Sequence, residues 1–400
     1  MPALAVYVHL PWCVRKCPYC DFNSHRAPHA IPEDEYVQAL LADLRSDLVQ
    51  VAGRTVDSVF FGGGTPSLFS AAAISRVLCG FRSELDFGPD AEITLEANPG
   101  TVERGRFEEY AEAGVNRISL GAQSFNGRCL TALGRIHSPE DIETAVLELG
   151  RARIDNFNLD LMYGLPGQAV EGAADDVRAA IALGPAHLSL YQLTLEPGTP
   201  FFRRPPDLPD EEAVADMCRA GQRLLGQAGF GRYEVSAYAK PGRQCRHNLA
   251  YWTFGDYLGL GAGAHGKLTT ADGVLRTERV RNPRDYMARA MTGGASSRRI
   301  VPEADLSFEY MLNALRLATG FGLGDFERAT GLHAETVVAT LASLANRGLL
   351  RLSDRHVQPT ALGFDFLNDL QSAFLPEAGD PSTVFSRRNP LNSGAGQGFP

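Results

Sequence analysis

The chain has 400 residues, which is enough for one large α/β domain with a smaller partner, and its 44% hydrophobic and 21% charged residues are ordinary for a globular protein. The formal net charge of −9 gives no general attraction to nucleic acid or anionic lipid. No apolar run approaches the roughly 20 residues of a membrane span, and the N-terminal segment lacks the basic start of a signal peptide. Seven cysteines, an odd number, favour reduced thiols and a cytoplasmic setting over a disulfide framework.

Strand-like and helix-like segments alternate through the first half of the chain. The predicted strands lie at 3–10, 57–63, 92–98, 116–121, 156–164 and 187–193. Helical periodicity separates most of them, at 32–51, 70–86, 103–113, 138–152 and 169–183. This repeated βα pattern predicts an α/β fold, a parallel sheet or a partial (β/α)6 barrel, over residues 1–204.

The second half of the chain predicts three further parts. Residues 205–300 form an extension with a helix at 210–228, a strand at 233–239 and a loop at 240–268 that is rich in Gly, His and aromatic residues. Residues 301–375 predict a small α-rich, winged-helix-like domain that ends in a short β-wing at 348–360. This domain has more acidic than basic residues, which argues against DNA binding. Residues 376–400, rich in Pro, Gly, Ser and Asn, predict a disordered tail.

Three cysteines, Cys13, Cys17 and Cys20, stand at CxxxCxxC spacing just after the first predicted strand. Three soft thiolates this close together favour zinc or an iron–sulfur cluster over three ordinary buried cysteines. Structural zinc usually takes four protein ligands, and no second Cys/His pair of suitable spacing follows. A [4Fe–4S] cluster on three cysteines would leave one iron open to another ligand, at the mouth of the sheet where α/β active sites lie.

The cysteine segment, with the aromatic Tyr19 before its last cysteine, resembles the cluster loop of the radical S-adenosylmethionine (SAM) superfamily. The resemblance implies that Cys13, Cys17 and Cys20 hold a [4Fe–4S] cluster and that SAM chelates its fourth iron. FFGGGTPS, at 60–67, resembles the GGGTP motif that binds the SAM amino group, and its glycines permit close backbone approach. By the same resemblance, the residues expected to contact one or two SAM molecules are Tyr7, Tyr19, Gly63, Gly64, Thr65, Glu96, Gln123, Arg135 and Asp160.

Six short motifs resemble the coproporphyrinogen dehydrogenase-like family over residues 4–375, including its HemN-like C-terminal domain: YVHLPWC, GGGTPS, NPG, GAQSF, LGRIHS and DLMYGLPGQ. Three groups within that family compete. The oxygen-independent coproporphyrinogen III dehydrogenase carries one more cysteine where this chain has Phe22, and it has a longer N-terminal segment. The class C radical SAM methyltransferases share the cluster and a two-SAM layout. The heme chaperones of the HemW group carry an HNxxYW motif, matched here by HNLAYW at 247–252.

The HNLAYW segment supplies the candidate heme contacts. His247 offers an imidazole, a common axial ligand of heme iron, and Tyr251 and Trp252 could flank a flat macrocycle. A structural, hydrogen-bonding histidine is the alternative. The resemblance favours a cytoplasmic radical SAM-type heme chaperone of porphyrin metabolism that binds heme and passes it to acceptor proteins. We do not expect decarboxylation of coproporphyrinogen III or nucleic-acid binding. No catalytic residue is assigned, and monomer and homodimer remain open.

Overall fold

The computed structural model describes residues 3–100 and 105–376. Its strands are β1 (Leu4–Leu10), β2 (Trp12–Cys13), β3 (His25–Arg26), β4 (Thr55–Gly63), β5 (Asp86–Ala97), β6 (Arg117–Gln123), β7 (Phe157–Tyr163), β8 (His187–Gln192), β9 (Gly231–Arg232), β10 (Ala237–Ala239), β11 (Asp256–Leu260), β12 (His265–Thr270), β13 (Gly273–Arg279), β14 (Ser296–Ile300), β15 (Phe321–Gly322), β16 (Leu350–Ser353) and β17 (His356–Pro359).

A short 3₁₀ helix, Pro66–Leu68, follows β4. The α-helices are α1 (Glu33–Val51), α2 (Ala71–Glu84), α3 (Phe107–Glu112), α4 (Gly127–Ala132), α5 (Pro139–Arg151), α6 (Val170–Ala182), α7 (Pro200–Arg203), α8 (Glu211–Gln227), α9 (Arg246–Trp252), α10 (Pro283–Ala290), α11 (Glu303–Ala314), α12 (Leu323–Thr330), α13 (Glu335–Asn346), α14 (Ala361–Asp365) and α15 (Leu367–Ser372).

The predicted partial barrel is confirmed. β1, β4, β5, β6, β7 and β8 are successive parallel neighbours, with helices between most of them, as the βα pattern requires. β5 begins at Asp86, six residues before the predicted start. The predicted helix at 103–113 begins in residues that the structure does not describe, and α3 accounts for its remainder.

The inner face of the barrel is polar, because alternate residues of its strands face a cavity while the others enter the apolar core. In β7, Leu159 and Leu161 pack in the core, whereas Asn158 and Asp160 line the cavity. In β8 the same alternation places Leu188 and Leu190 in the core, and the cavity receives His187, Ser189 and Tyr191. The period of two along a strand therefore decides which side chains can meet a ligand.

Residues 205–300 extend the same sheet at both of its edges. β11 pairs in parallel with β1, and β12, β13 and β14 extend that edge of the sheet. At the other edge, β10 and β9 continue the sheet beyond β8 in antiparallel register. One apolar core contains Leu40 of α1, Met217 of α8 and Leu258 of β11. The sheet has twelve strands among the described residues.

The prediction of a loop over 240–268 is wrong, because this segment holds α9, β11 and the start of β12. The HNLAYW sequence forms α9 itself. A side chain of another element binds the first turn of this helix. Both carboxylate oxygens of Glu92 on β5 accept hydrogen bonds there, one from Arg246 N and one from His247 N, at 3.3 Å each. A carboxylate at a helix N-terminus also complements the helix dipole.

The C-terminal domain has its own core and confirms the predicted α-rich, winged-helix-like unit. Met311, Phe326, Leu341 and Val357 lie in that core. β15, β17 and β16 form a small antiparallel sheet, and the turn between β16 and β17 lies within the predicted wing. The predicted disordered tail, 376–400, lies outside the described residues except for residue 376.

Candidate functional site

The three clustered cysteines lie on a loop that leaves the C-terminal end of β1 and is tied back to it. Backbone bonds run from His25 N to Pro11 O at 2.7 Å and from Ala27 N to Cys13 O at 2.8 Å. Within the loop, Lys16 Nζ donates to Phe22 O at 2.9 Å. The side-chain amide of Asn23 donates to Ala262 O at 2.8 Å, which anchors the loop to the segment between β11 and β12. These bonds hold a loop that is otherwise irregular at the mouth of the barrel.

One open cavity runs from this loop into the barrel. Its empty space, including the open mouth, is about 1580 Å³. Most of the predicted site residues line it together: Cys13, Cys17, Tyr19, Cys20, Gly63, Gly64, Thr65, Glu96, Gln123, Arg135, Asp160 and Trp252. Tyr7, His247 and Tyr251 are not among its lining residues.

The thiols suit soft-metal binding. All three are free, and burial raises the pKa of Cys13 and raises that of Cys20 to about 11, so metal binding there must displace protons. Arg135 Nη1 lies 3.7 Å from Cys17 Sγ and donates to it. The guanidinium thereby stabilises negative charge on that sulfur. All three thiols line the open cavity, and three sulfur donors with an open side fit an iron–sulfur cluster better than a closed zinc site, which would need a fourth protein ligand.

The GGGTP segment packs against the cysteine loop as well as facing the cavity. Gly64 N donates to Leu10 O at 2.9 Å, and Thr65 N donates to Trp12 O at 2.8 Å. A Cβ on Gly64 would lie 2.5 Å from Trp12 O. Gly63 adopts φ +115°, and a Cβ there would lie 2.6 Å from the His9 ring. The close approach that the sequence indicated is therefore made to His9 at the end of β1 and to the cysteine loop that follows it.

Two carboxylates occupy the wall near the glycines. Glu96 accepts from Gly63 N at 3.2 Å, and burial, together with the charge of Asp160, raises its pKa to about 8. Burial also raises the pKa of Asp160, although Asn158 and Ser119 donate to it at 2.7 and 3.2 Å. A ligand amino group or hydroxyl groups in this position would be favourable, because they would offset the desolvation of the carboxylates.

Gln123 and Arg135 complete this wall. Both form hydrogen bonds with residues that were not among the predicted site residues. Gln123 has a left-handed backbone, φ 66°, at the end of β6, and its Oε1 accepts from Tyr191 Oη at 2.6 Å. Arg135 Nη2 donates to Gly121 O at 2.9 Å and to Asn98 Oδ1. Asn98 also donates to Thr65 Oγ1 at 3.0 Å. The NPG motif contains Asn98, whereas Tyr191 belongs to none of the motifs and is indicated only by the alternation of residues along β8.

Tyr7 has a supporting position rather than a place on the cavity wall. Its hydroxyl lies 3.0 Å from His9 Nδ1, and His9 Nε2 lies 3.0 Å from Asn23 O. Because a carbonyl oxygen only accepts, His9 Nε2 carries the proton, and Tyr7 donates to Nδ1. Burial lowers the pKa of His9 to about 4, so the ring stays neutral. The pair holds the segment that follows the last cluster cysteine.

His247 lies inside the barrel, away from the cysteine loop. Its Nδ1 is 2.9 Å from Ser58 Oγ, and its Nε2 is 3.1 Å from Tyr251 Oη. The residue is 1% exposed, and burial lowers its pKa to about 3. Its ring stacks on Phe60 with centroids 5.1 Å apart. An iron bond from His247 would require one of these nitrogens to give up its partner and α9 to shift. Of the three residues, only Trp252 lines the cavity.

The remaining cysteines do not join the cluster loop. Cys129 is buried on α4, and Cys245 is buried just before α9, where it lines the same cavity. Cys218 lies on α8, and Cys79 is exposed on α2. No described helix has the length and apolar character needed to cross a membrane.

The chain resembles known protein families along most of its length. Residues 7–180 match the model of the radical SAM superfamily, and residues 301–366 match that of the HemN C-terminal domain. Heme chaperone HemW of Escherichia coli is 49% identical over 94% of this chain and 99% of its own, and that of Haemophilus influenzae is 46% identical over the same shares. The mitochondrial radical S-adenosyl methionine domain-containing protein 1 of Bos taurus is 38% identical over 80% of this chain and 74% of its own.

The fold resembles one solved structure closely. Coproporphyrinogen III oxidase (HemN) from Escherichia coli superposes with a TM-score of 0.79 over 93% of this chain and 90% of its own. The two sequences are 24% identical over this match, so the likeness extends to the fold alone.

Proposed function

This chain belongs to the heme chaperone HemW family of the radical SAM superfamily, and on that premise we propose that it binds heme and passes it to acceptor proteins. The proposal rests on the near full-length similarity to the bacterial heme chaperones. Phe22, two residues after the last cluster cysteine, lines the cavity where the dehydrogenase carries a further thiol. Decarboxylation of coproporphyrinogen III is therefore the alternative that the experiment below tests against.

We further propose that Cys13, Cys17 and Cys20 hold a [4Fe–4S] cluster. Bound there, the cluster would offer one iron to the amino and carboxylate groups of SAM and would supply an electron to it. The backbone of Gly63 and Gly64 and the Glu96 carboxylate border the same part of the cavity and would receive the amino group. The other SAM residues carried over from the sequence are Tyr19, Thr65, Gln123, Arg135 and Asp160 at the wall, with Tyr7 acting through His9.

The heme site is proposed at the far end of the same cavity, against Trp252. An indole can cover part of a porphyrin face, and this one is flanked by polar groups that a ligand could reach. His247 and Tyr251 would act mainly by holding α9 inside the barrel, because their bonds to Ser58 and to each other fix the helix that carries Trp252. Axial ligation of heme iron by His247 is the alternative to this structural role, and unfolding and heme spectra of His247→Ala distinguish the two.

The deciding experiment is anaerobic reconstitution of the full chain with iron and sulfide, followed by separate titrations. We expect the reconstituted protein to bind heme, seen by its absorption spectrum, and to lose it to an apo heme protein added afterwards. The matched control is a variant of the exposed cysteine, Cys79→Ala, which should behave as wild type. A fully loaded protein that binds no heme would overturn the proposal. Formation of protoporphyrinogen IX from coproporphyrinogen III and SAM would assign the chain to the dehydrogenase group instead.

A further inference from the structure

The inner end of the cavity, away from the cysteine loop, carries two arginine side chains that the cofactor site does not use. Arg117 is the first residue of β6, and Arg316 follows α11 in the C-terminal domain. Both line the cavity together with Trp252 and Asn248 of α9. The cavity is thus bounded here by the barrel, by α9 and by the C-terminal domain.

Arg117 is a buried cation with spare hydrogen-bonding capacity. It is 2% exposed, and its Nε–H has no acceptor among the described residues. Its nearest carboxylate oxygen is Glu92 Oε2, at 4.0 Å. That carboxylate is already engaged by the backbone N–H groups of the first turn of α9. Buried donors normally have acceptors, so an unpartnered one at a cavity wall points to a ligand atom.

Arg316 is a second arginine with spare hydrogen-bonding capacity. One terminal nitrogen lies 3.3 Å from Glu234 Oε2, and the guanidinium lies 4.2 Å from the centre of the Trp252 ring. Its Nε–H has no acceptor among the residues that the structure describes. An arginine held by a carboxylate on one side and an indole face on the other keeps a fixed orientation. Its remaining donors are therefore positioned in advance for a planar anion.

A short chain of neighbouring residues links the two arginines. The hydroxyl of Tyr233 lies 2.8 Å from His187 Nε2 and accepts from Asn248 Nδ2 at 3.4 Å. The charge of Arg117 acts on Tyr233 and on His187, and Glu234, the partner of Arg316, is the next residue along the chain. Glu92, Asp160 and Glu234 balance part of the positive charge, but the two unpartnered Nε–H groups remain.

We propose that Arg316, supported by Arg117, binds a carboxylate of the cavity's ligand while the part of Trp252 that faces the cavity contacts the ligand's flat ring. The inference rests on the proposed heme binding, for which this carboxylate is a propionate group. It makes the C-terminal domain part of the heme site, because Arg316 comes from that domain. It also gives the flat ligand an orientation, with a propionate edge toward α11 and the ring toward the cysteine loop.

The test compares heme with its dimethyl ester, in which both propionates are neutral, on the full chain with its cluster. Wild type should bind heme about 10- to 100-fold more tightly than the ester, as expected for one charge-assisted hydrogen-bonding contact. Arg316→Gln should lose most of that preference by weakening heme and leaving the ester nearly unchanged. Arg347→Gln, which removes an exposed arginine of the same domain, is the matched control and should keep the full preference.

The outcomes separate the two proposals. Equal affinity of wild type for heme and ester, or an unchanged preference in a folded Arg316→Gln, would overturn the carboxylate site and leave heme binding standing. If Arg316→Gln fails to fold, the comparison of the two ligands on wild type still decides. If wild type with full iron content binds neither ligand, the proposed function itself fails, and the carboxylate site fails with it.

Discussion

His247→Ala should destabilise the fold, because the side chain is a buried structural group in this structure. The substitution removes bonds to Ser58 and Tyr251 and leaves a cavity beside Phe60. Two buried hydrogen bonds and a ring-sized void together cost about 3–5 kcal/mol of unfolding free energy. Against the 5–15 kcal/mol that typical domains possess, this loss is large.

The difference in unfolding free energy between wild type and His247→Ala should also depend on pH. The pKa of His247 is lowered to about 3 from 6.5, so the neutral ring stabilises the folded state fully above about pH 6.5, and this contribution is lost as pH falls toward 3. pH 5 lies about 1.5 units below the pKa of the histidine in the unfolded chain. At that pH, the unfolding free energy of wild type should be about 2 kcal/mol lower than at neutral pH. The gap between wild type and His247→Ala should narrow by that amount.

Urea unfolding followed by far-UV circular dichroism, under anaerobic conditions at pH 7 and pH 5, measures both effects. His29→Ala, at an exposed histidine, is the control and should match wild type at both pH values. Heme spectra should be recorded on the same samples. If His247→Ala unfolds within about 0.5 kcal/mol of wild type yet loses the heme spectrum, the side chain binds iron, and the structural role assigned to it is refuted.

Three further predictions concern the cluster loop and the reaction. Cys17→Ala should lose nearly all cluster iron, measured by iron analysis and visible absorption, while Cys129→Ala keeps it; full iron in Cys17→Ala would remove that residue from the ligand set. Gly64→Ala should displace the cluster loop and lower iron content, because its Cβ would lie 2.5 Å from Trp12 O, whereas Gly127→Ala, which meets nothing within 4 Å, should retain iron. Equal iron in both glycine variants would contradict the packing role. With SAM and reductant, the protein should form no protoporphyrinogen IX from coproporphyrinogen III, assayed by fluorescence after oxidation, and robust formation would contradict the assignment.

The parallel strands and the cysteine loop could be predicted because their signals are local. An apolar run such as LAVYVHL, bounded by proline and followed by helical periodicity, indicates a covered strand without knowledge of its partners. The CxxxCxxC spacing needs no tertiary information either. The alternation of apolar and polar residues along β7 and β8 also indicates a polar inner face, and Tyr191 belongs to that face.

The outer edges of the sheet and α9 could not be found in that way, because distant parts of the chain determine them. β11 pairs with β1 although some 250 residues separate them, and no local pattern specifies such a partner. α9 has only seven residues, too few for a stable isolated helix. Glu92, on a strand more than 150 residues earlier, supplies the acceptors for its first turn. The segment's richness in Gly, His and aromatic residues indicated a loop, because the local sequence does not show this acceptor.

The two ends of the cavity explain why a similar fold does not by itself determine which function this chain has. At the cysteine end, the loop, the glycines and Glu96 form the proposed cofactor wall, which the resemblance to the radical SAM superfamily indicates from sequence. At the other end, Trp252 and Arg316 come from a short helix and a separate domain, and these are the surfaces that a large ligand would meet. A likeness in fold to coproporphyrinogen III oxidase extends over both ends without fixing the side chains at the second. Side chains therefore decide whether such a protein decarboxylates a porphyrinogen or carries a heme, and a backbone superposition does not compare them.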